Sequence, residues 1–180
     1  MAVMLAKPVL DYGNVIAVEG AKSEVGLRLL DGRAERIHLS ATRATTFTVR
    51  EPVLGANGSY RMDLEVLSFK LEGKSEVLWP GATIRIIAGA RSDGSAKPVY
   101  GTVDIPVGRS LEDGVPTEVR LYAKIETPIG ILQNARAIRM TGSLHAIPPL
   151  TDLFRSQEDV PVLDEGGNVV GTLWACGTQF

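Results

Sequence analysis

The sequence predicts an all-β fold, a single-domain antiparallel β-barrel or β-sandwich of about ten strands with minimal helix. Three observations favour this class. Apolar and polar residues alternate with period two through most of the 180 residues, turn dipeptides separate the alternating runs, and strand-like runs do not alternate with helical ones. Barrels and sandwiches both produce alternating strands, so the pattern leaves the two architectures open.

The clearest strand lies within residues 118–126, where Val119, Leu121, Ala123 and Ile125 share one parity. Successive side chains of a strand point to opposite faces of the sheet, so this run buries one face and exposes the other. Similar alternation occurs near residues 24–29, 36–39, 46–50, 83–88 and 99–105.

The run over residues 60–72 changes its parity within one strand. Met62 and Val66 belong to one parity, whereas Leu67 and Phe69 belong to the other. A change of parity requires one extra residue, so we expect a β-bulge near Val66 and Leu67. Long bulged strands are common where a sheet curls into a barrel.

Glycine-containing turns punctuate the strands. Asp31-Gly32, Asn57-Gly58 and Pro80-Gly81 predict tight turns, and residues 164–168 predict a hairpin. Helical signal is poor, and the best candidate is a short helix from Thr151 to Gln157.

Length and composition predict one domain over residues 1–180, with residues 1–13 as a flexible lead-in or an edge strand. The formal net charge of -2 provides no electrostatic footprint for nucleic acid. No apolar run is long enough to span a membrane. The single cysteine, Cys176, and an N-terminus interrupted by Lys7 and Pro8 favour a cytoplasmic protein.

The sequence lacks the motifs of several common chemistries. It contains no phosphate-binding glycine loop, no dinucleotide fingerprint and no nucleophile elbow. His38 and His145 are the two histidines and form no metal-ligand pair, so we predict neither a metal nor another cofactor. Cys176 lies in an apolar context, which favours a buried, inert thiol.

The inward parity of the predicted strands carries almost no ionisable residue. An interior cavity would therefore lack paired carboxylates and an obvious general base, and would act through shape and a few hydroxyls or amides. A fully packed interior fits the same pattern. Residues on or near the apolar parity that are polar or adaptable form the candidate ligand-binding set: Tyr60, Met62, Arg136, Met140, His145 and Trp174.

Two classes of function follow. The first is binding of a small, largely apolar molecule inside a barrel, extending to a cofactor-independent cyclase or isomerase. Lipocalin-like and allene-oxide-cyclase-like barrels provide the analogy, which is one of fold and not of matched motifs. The second is a non-enzymatic sandwich or jelly-roll module that acts through its surface or as a homo-oligomer. Apolar residues on the outward parity, such as Leu30 and Ile87, favour it.

Overall fold

The computed structural model describes residues 12–91, 97–149 and 151–180, so most of the predicted lead-in lies outside the described residues. Within these ranges the chain forms one antiparallel sheet of fifteen strand segments. The segments are β1 (Val15–Val18), β2 (Lys22–Leu29), β3 (Ala34–Ala41), β4 (Thr45–Val49), β5 (Val53–Leu54), β6 (Tyr60–Lys74), β7 (Thr83–Ala88), β8 (Val99–Ile105), β9 (Val115–Leu121), β10 (Ala123–Thr127), β11 (Gly130–Asn134), β12 (Ile138–Leu144), β13 (Leu153–Ser156), β14 (Val160–Leu163) and β15 (Val169–Gln179). A single 3-10 turn spans Leu111–Asp113.

The described segments combine into eight barrel strands that follow one another in chain order. The eight are β1 with β2, β3 with β4 and β5, β6 alone, β7 with β8, β9 with β10, β11 with β12, β13 with β14, and β15 alone. Each pairs antiparallel with the next, and β15 returns to pair with β2 over Gly171–Gln179 and Lys22–Leu29. The sheet is therefore a closed up-and-down barrel, which confirms the predicted fold class and decides between barrel and sandwich.

The predicted bulge in β6 is confirmed. Phe47 pairs with Val66 while the preceding Thr46 pairs with Ser68, so Leu67 is the extra residue. At the same level the neighbouring barrel strand breaks after β7, where Gly89 adopts a φ of 90°. A Cβ at Gly89 would lie 2.5 Å from the carbonyl oxygen of Leu67, so this approach requires glycine.

The predicted turns are also confirmed, but the predicted helix is wrong. Gly32, Gly58 and Gly81 all have positive φ in turns, and residues 164–168 connect β14 to β15. The segment predicted as helix contains β13, in which Phe154 and Ser156 are buried while Leu153 and Arg155 are exposed. The segment pairs with β12 and β15, and tertiary pairing outweighs its weak helix-start signal.

The two ends of the barrel differ. At the turn end, which carries the turns at residues 30–33, 75–82, 128–129 and 164–168, the interior is filled by apolar side chains. Every barrel strand contributes at least one of them: Leu27, Ile37, Leu71, Ile84, Ile125, Leu132, Val162 and Leu173. At the loop end, which carries residues 50–59, 106–114 and 145–149, the interior is less completely filled.

Glu35 is an ionisable residue on the inward parity that sequence analysis missed. It is buried at the turn end, where its carboxylate accepts hydrogen bonds from the Ser75 hydroxyl (2.7 Å) and from the backbone N–H groups of Glu76 and Leu78. The Ser75 hydroxyl also accepts a bond from the Trp79 N–H (2.8 Å). Glu35 thus fastens the turn at residues 75–82 across the end of the barrel.

Asn134 is a second buried polar residue that supports the barrel. Its Oδ1 accepts the Ala123 N–H (2.7 Å), and its Nδ2 donates to the carbonyls of Leu121 (3.0 Å) and Arg136 (2.6 Å). These bonds replace sheet hydrogen bonds where the fifth and sixth barrel strands are interrupted. Backbone groups thus pair with both polar atoms of the Asn134 side chain, and the side chain stabilises the interrupted part of these two strands.

Glu35→Gln is expected to lower the free energy of unfolding by about 1–3 kcal/mol near neutral pH, because an amide cannot accept from all the buried donors. Burial opposes ionisation of Glu35, but the bonds from Glu76, Leu78 and Ser75 hold its pKa below the ordinary 4.5. The carboxylate's contribution is therefore complete above that pH and is lost as the pH falls through the folded-state pKa. Urea unfolding at graded pH measures this difference.

The control for this experiment is Glu19→Gln, which alters an exposed carboxylate between β1 and β2. We expect it to change the free energy of unfolding by less than about 0.5 kcal/mol. A deficit of Glu35→Gln that stayed constant as the pH fell well below 4.5 would contradict the role given to the Glu35 carboxylate.

Candidate functional site

A cavity occupies the loop-end half of the barrel interior. Seven of the eight barrel strands contribute to it, together with the loop that follows β12. The lining consists of Thr45, Phe47, Val49, Leu64, Val66, Phe69, Val99, Val119, Leu121, Met140, Leu144, Ile147, Pro149, Phe154, Thr178 and Phe180. Most of these side chains lie on the inward parity of their strands, and Phe69 does so because the bulge at Leu67 reverses the parity of β6.

The cavity is larger than a void that holds a single water molecule. The centre of a water-sized sphere can occupy about 70 Å³, several times the roughly 10–15 Å³ that one water molecule needs. The predicted alternative of a fully packed interior therefore does not describe this half of the barrel.

The accessible surface of the cavity is almost wholly apolar. Among the described lining residues the only side chains with a polar N or O atom are Thr45 and Thr178, and none is charged. Three rings form one wall: Phe180 lies 6.4 Å from Phe69 and 6.0 Å from Phe154 between ring centroids. Such a wall favours flat or extended apolar ligands.

The two hydroxyls differ in their hydrogen bonding. Ser23 Oγ donates to the Gly177 carbonyl (2.7 Å) and lies 3.1 Å from Thr178 Oγ1, so the Thr178 hydroxyl donates to Ser23. Thr45 is 1% exposed, and its Oγ1 has no hydrogen-bond partner among the described residues. An unpaired buried hydroxyl is uncommon in a folded protein.

Met140 is the one member of the candidate ligand-binding set that the structure places in the described lining. Met62 is fully buried in the barrel core but outside the lining, and Tyr60 is half-buried at the start of β6. The inward parity assigned to Met62 and Met140 is confirmed by their burial.

Arg136 lies outside the interior, contrary to its expected parity. The sixth barrel strand is interrupted between β11 and β12, and there Arg136 is exposed. Its guanidinium pairs with the Glu158 carboxylate at 2.8 Å and donates to the Asp159 carbonyl at 3.0 Å. The interruption breaks the alternation from which its inward orientation was predicted.

Trp174 also lies outside the described lining and packs on the barrel's outer face. The register of β15 against β2 shifts between Leu173 and Ala175, so Trp174 is a bulge residue. Its ring covers Gly26, where a Cβ would lie 2.5 Å from the ring, and the Arg36 guanidinium stacks 4.6 Å from the ring centroid. Trp174 therefore packs between Gly26 and Arg36 on the outer face and has a structural role there.

His145 lies on the rim of the loop end and not in the described cavity lining. Its Nδ1 is 2.7 Å from Asp152 Oδ1, and its backbone N–H donates to Asp152 Oδ2 at 3.0 Å. The Asp152 carbonyl accepts from the Phe180 N–H, so one buried aspartate holds both His145 and the chain's last residue in place. The ring of His145 lies against Gly114.

The four phenylalanines of the lining, Phe47, Phe69, Phe154 and Phe180, were not among the predicted site residues. Phe47 and Phe69 lie in predicted strands, and counting the bulge places both of their side chains on the inward face. Phe154 could not be assigned to that face, because its segment was predicted to be a helix. The missed buried acid Asp152 stands two residues from Phe154 and shares its inward parity.

The two apolar residues predicted on the outward parity differ in exposure. Leu30 is exposed as predicted, whereas Ile87 is buried, because its outward side chain lies in a surface depression shared with Tyr122 and Lys97.

Among the described residues no cluster of three His, Cys, Asp or Glu side chains has metal-binding geometry. Within those same residues no helix is both long and apolar enough to cross a bilayer.

The fold and the cavity define the class of this chain: a closed eight-stranded antiparallel barrel with an apolar interior site. No protein-family model matches the sequence, and no curated protein matches it. Among solved structures it is similar to DynF from the dynemicin biosynthesis pathway of Micromonospora chersina. The TM-score is 0.71, the match covers 97% of this chain and 92% of DynF, and the sequences are 16% identical. The likeness shows a shared fold.

Cys176 is buried as the sequence predicts, and burial raises the pKa of its thiol to about 12. We therefore expect negligible reaction with a thiol-specific reagent near pH 8 in the folded protein, because the thiolate is the reacting species. The same reagent should modify Cys176 fully in urea. Rapid modification under native conditions would contradict the assignment of an inert thiol.

Proposed function

We propose that this protein binds a small, largely apolar molecule in the loop-end half of its barrel. The observation that carries the proposal is the almost wholly apolar cavity at the loop end of a barrel whose turn end is more completely filled by its own side chains. A folded chain gains free energy by filling such space with its own side chains, so a retained cavity is costly to stability. A ligand-binding role accounts for its retention.

Hydrophobic transfer drives the proposed binding. Burying apolar surface contributes roughly 25 cal/mol per Å², and a ligand also regains dispersion contacts with the ring wall of Phe69, Phe154 and Phe180. Among the described lining residues there is no charged side chain to pair with a ligand charge. An ionised group buried there would remain unpaired, so the proposal favours uncharged ligands.

The cavity offers few side chains that could take part in catalysis. The side chains of the described lining include two hydroxyls but no carboxylate, imidazole or amine, so none of them is suited to general acid–base catalysis near neutral pH. A cavity of this kind can hold an apolar substrate in a reactive conformation. The cyclase or isomerase reaction predicted from the sequence stays a prediction, and binding is the proposal.

The likeness to DynF supports the proposal in one respect. DynF is described as a protein of the dynemicin biosynthesis pathway, and such a pathway handles small molecules. The main support for the binding proposal is the cavity of this chain, because the similarity to DynF is one of fold.

A second proposal, self-association, is favoured by a separate observation. Val53, Leu54 and Val107 are each at least 60% exposed, and they lie on neighbouring loop-end segments. Exposed apolar groups of this kind are common at interfaces. Native mass spectrometry distinguishes a monomer from an oligomer and does not depend on the interior cavity.

The binding proposal predicts that Met140→Trp weakens binding of the neutral fluorescent probe N-phenyl-1-naphthylamine by about tenfold or more, equivalent to about 1.4 kcal/mol. The indole would occupy space that the probe needs. The matched control is Thr141→Trp, which adds the same ring at the next, outward-facing position of β12. That variant should bind like the unaltered protein.

Circular dichroism establishes whether both variants fold. If Met140→Trp does not fold, Val119→Phe replaces it and places a smaller ring in the same cavity. Equal probe affinity for the filled variants and the control would exclude this cavity as the binding site. Absence of any probe binding to the unaltered protein would contradict the proposed function.

A further inference from the structure

Thr45 stands out among the polar groups of the cavity. It begins β4, directly after the interruption of the second barrel strand, and its side chain shares the inward parity of Phe47 and Val49. Its strand neighbours are Val18 on one side and the bulged part of β6 on the other. Thr45 therefore lies at the inner part of the cavity, and Val49 lies nearer the loop end.

The Thr45 hydroxyl has an unused proton. Its Oγ1 exposes less than 1 Å² and has no hydrogen-bond partner among the described residues. The Thr178 hydroxyl differs, because its proton is directed to Ser23 and Ser23 in turn donates to Gly177. Thr45 is thus the one described lining side chain with a free donor.

A valine would fill nearly the same volume as Thr45 without an unpaired hydroxyl, so the hydroxyl lowers the stability of the empty barrel. Rotation by roughly 120° about χ1 moves the hydroxyl into the place of the methyl group or of the β-hydrogen, and threonine uses more than one such rotamer. The donor can therefore be turned toward a molecule in the cavity.

We propose that the ligand is an uncharged, mainly apolar molecule bearing one hydrogen-bond acceptor oxygen, such as a ketone or enone carbonyl, and that Thr45 Oγ1 donates to this oxygen. This inference rests on the proposed function. It adds the class of ligand and a residue that determines specificity. The absence of charged side chains from the described lining disfavours a carboxylate or phosphate at the same position.

The experiment compares 1-tetralone with tetralin, which has a methylene group in place of the carbonyl. Calorimetric or NMR titration measures both dissociation constants for the unaltered protein, Thr45→Val, Thr45→Ser and Thr178→Val. We expect Thr45→Val to weaken 1-tetralone binding by about tenfold while leaving tetralin binding unchanged or slightly stronger. Thr45→Ser retains the hydroxyl and should retain the preference for 1-tetralone.

Thr178→Val is the matched control, since it removes a hydroxyl whose proton already has an acceptor in the same cavity. It should leave the ratio of the two dissociation constants unchanged. Without ligand, Thr45→Val should also melt at a higher temperature than the unaltered protein, because it removes an unpaired buried hydroxyl.

The outcomes separate the two proposals. If tetralin and 1-tetralone bind but Thr45→Val changes both affinities equally or neither, the Thr45 inference is overturned and the proposed function stands. If neither probe binds the unaltered protein, the proposed function fails and the Thr45 inference fails with it. If Thr45→Val does not fold, Thr45→Ala replaces it, and the same ratio decides the question.

Discussion

The pairing of the last strand with the first determines the rest of this structure. β15 and β2 are hydrogen-bonded through most of their length, and this pairing turns a sheet with two open edges into a ring. Once the ring is closed, one parity of every strand must face a common interior. The composition of that interior, and the space left inside it, then follow from which residues occupy the inward parity and from where the strands break.

The strand interruptions make the two halves of the barrel different. At the turn end, uninterrupted alternation brings large aliphatic residues together, and Glu35 fastens a turn across the opening. Toward the loop end, the bulge at Leu67 redirects Phe69, and the break before Thr45 begins a new segment. Bulges and breaks increase local twist and bend the sheet. We attribute the less complete filling of the loop-end interior to this bending.

Much of the fold could be predicted from the sequence, because period-two alternation, glycine turns and the parity change in β6 are local signals. The apolar character of the interior followed from the same parity. The positions of Arg136 and Trp174 could not be predicted, since each depends on an interruption or a register shift that only neighbouring strands reveal. The buried acids Glu35 and Asp152 were missed because their donors lie about 40 residues away or on the backbone of a loop. The unpaired hydroxyl of Thr45 is visible only when its surroundings are known.

The central claim is that the interior at the loop end receives a ligand. Intermolecular NOEs between bound N-phenyl-1-naphthylamine and the protein's methyl groups test it most directly. The account predicts cross-peaks from the ε-methyl of Met140 and the methyls of Leu144 and Val119, which line the cavity. It predicts none from Val53 or Leu54, which are exposed on the surface. Cross-peaks confined to those surface methyls would contradict an interior binding site.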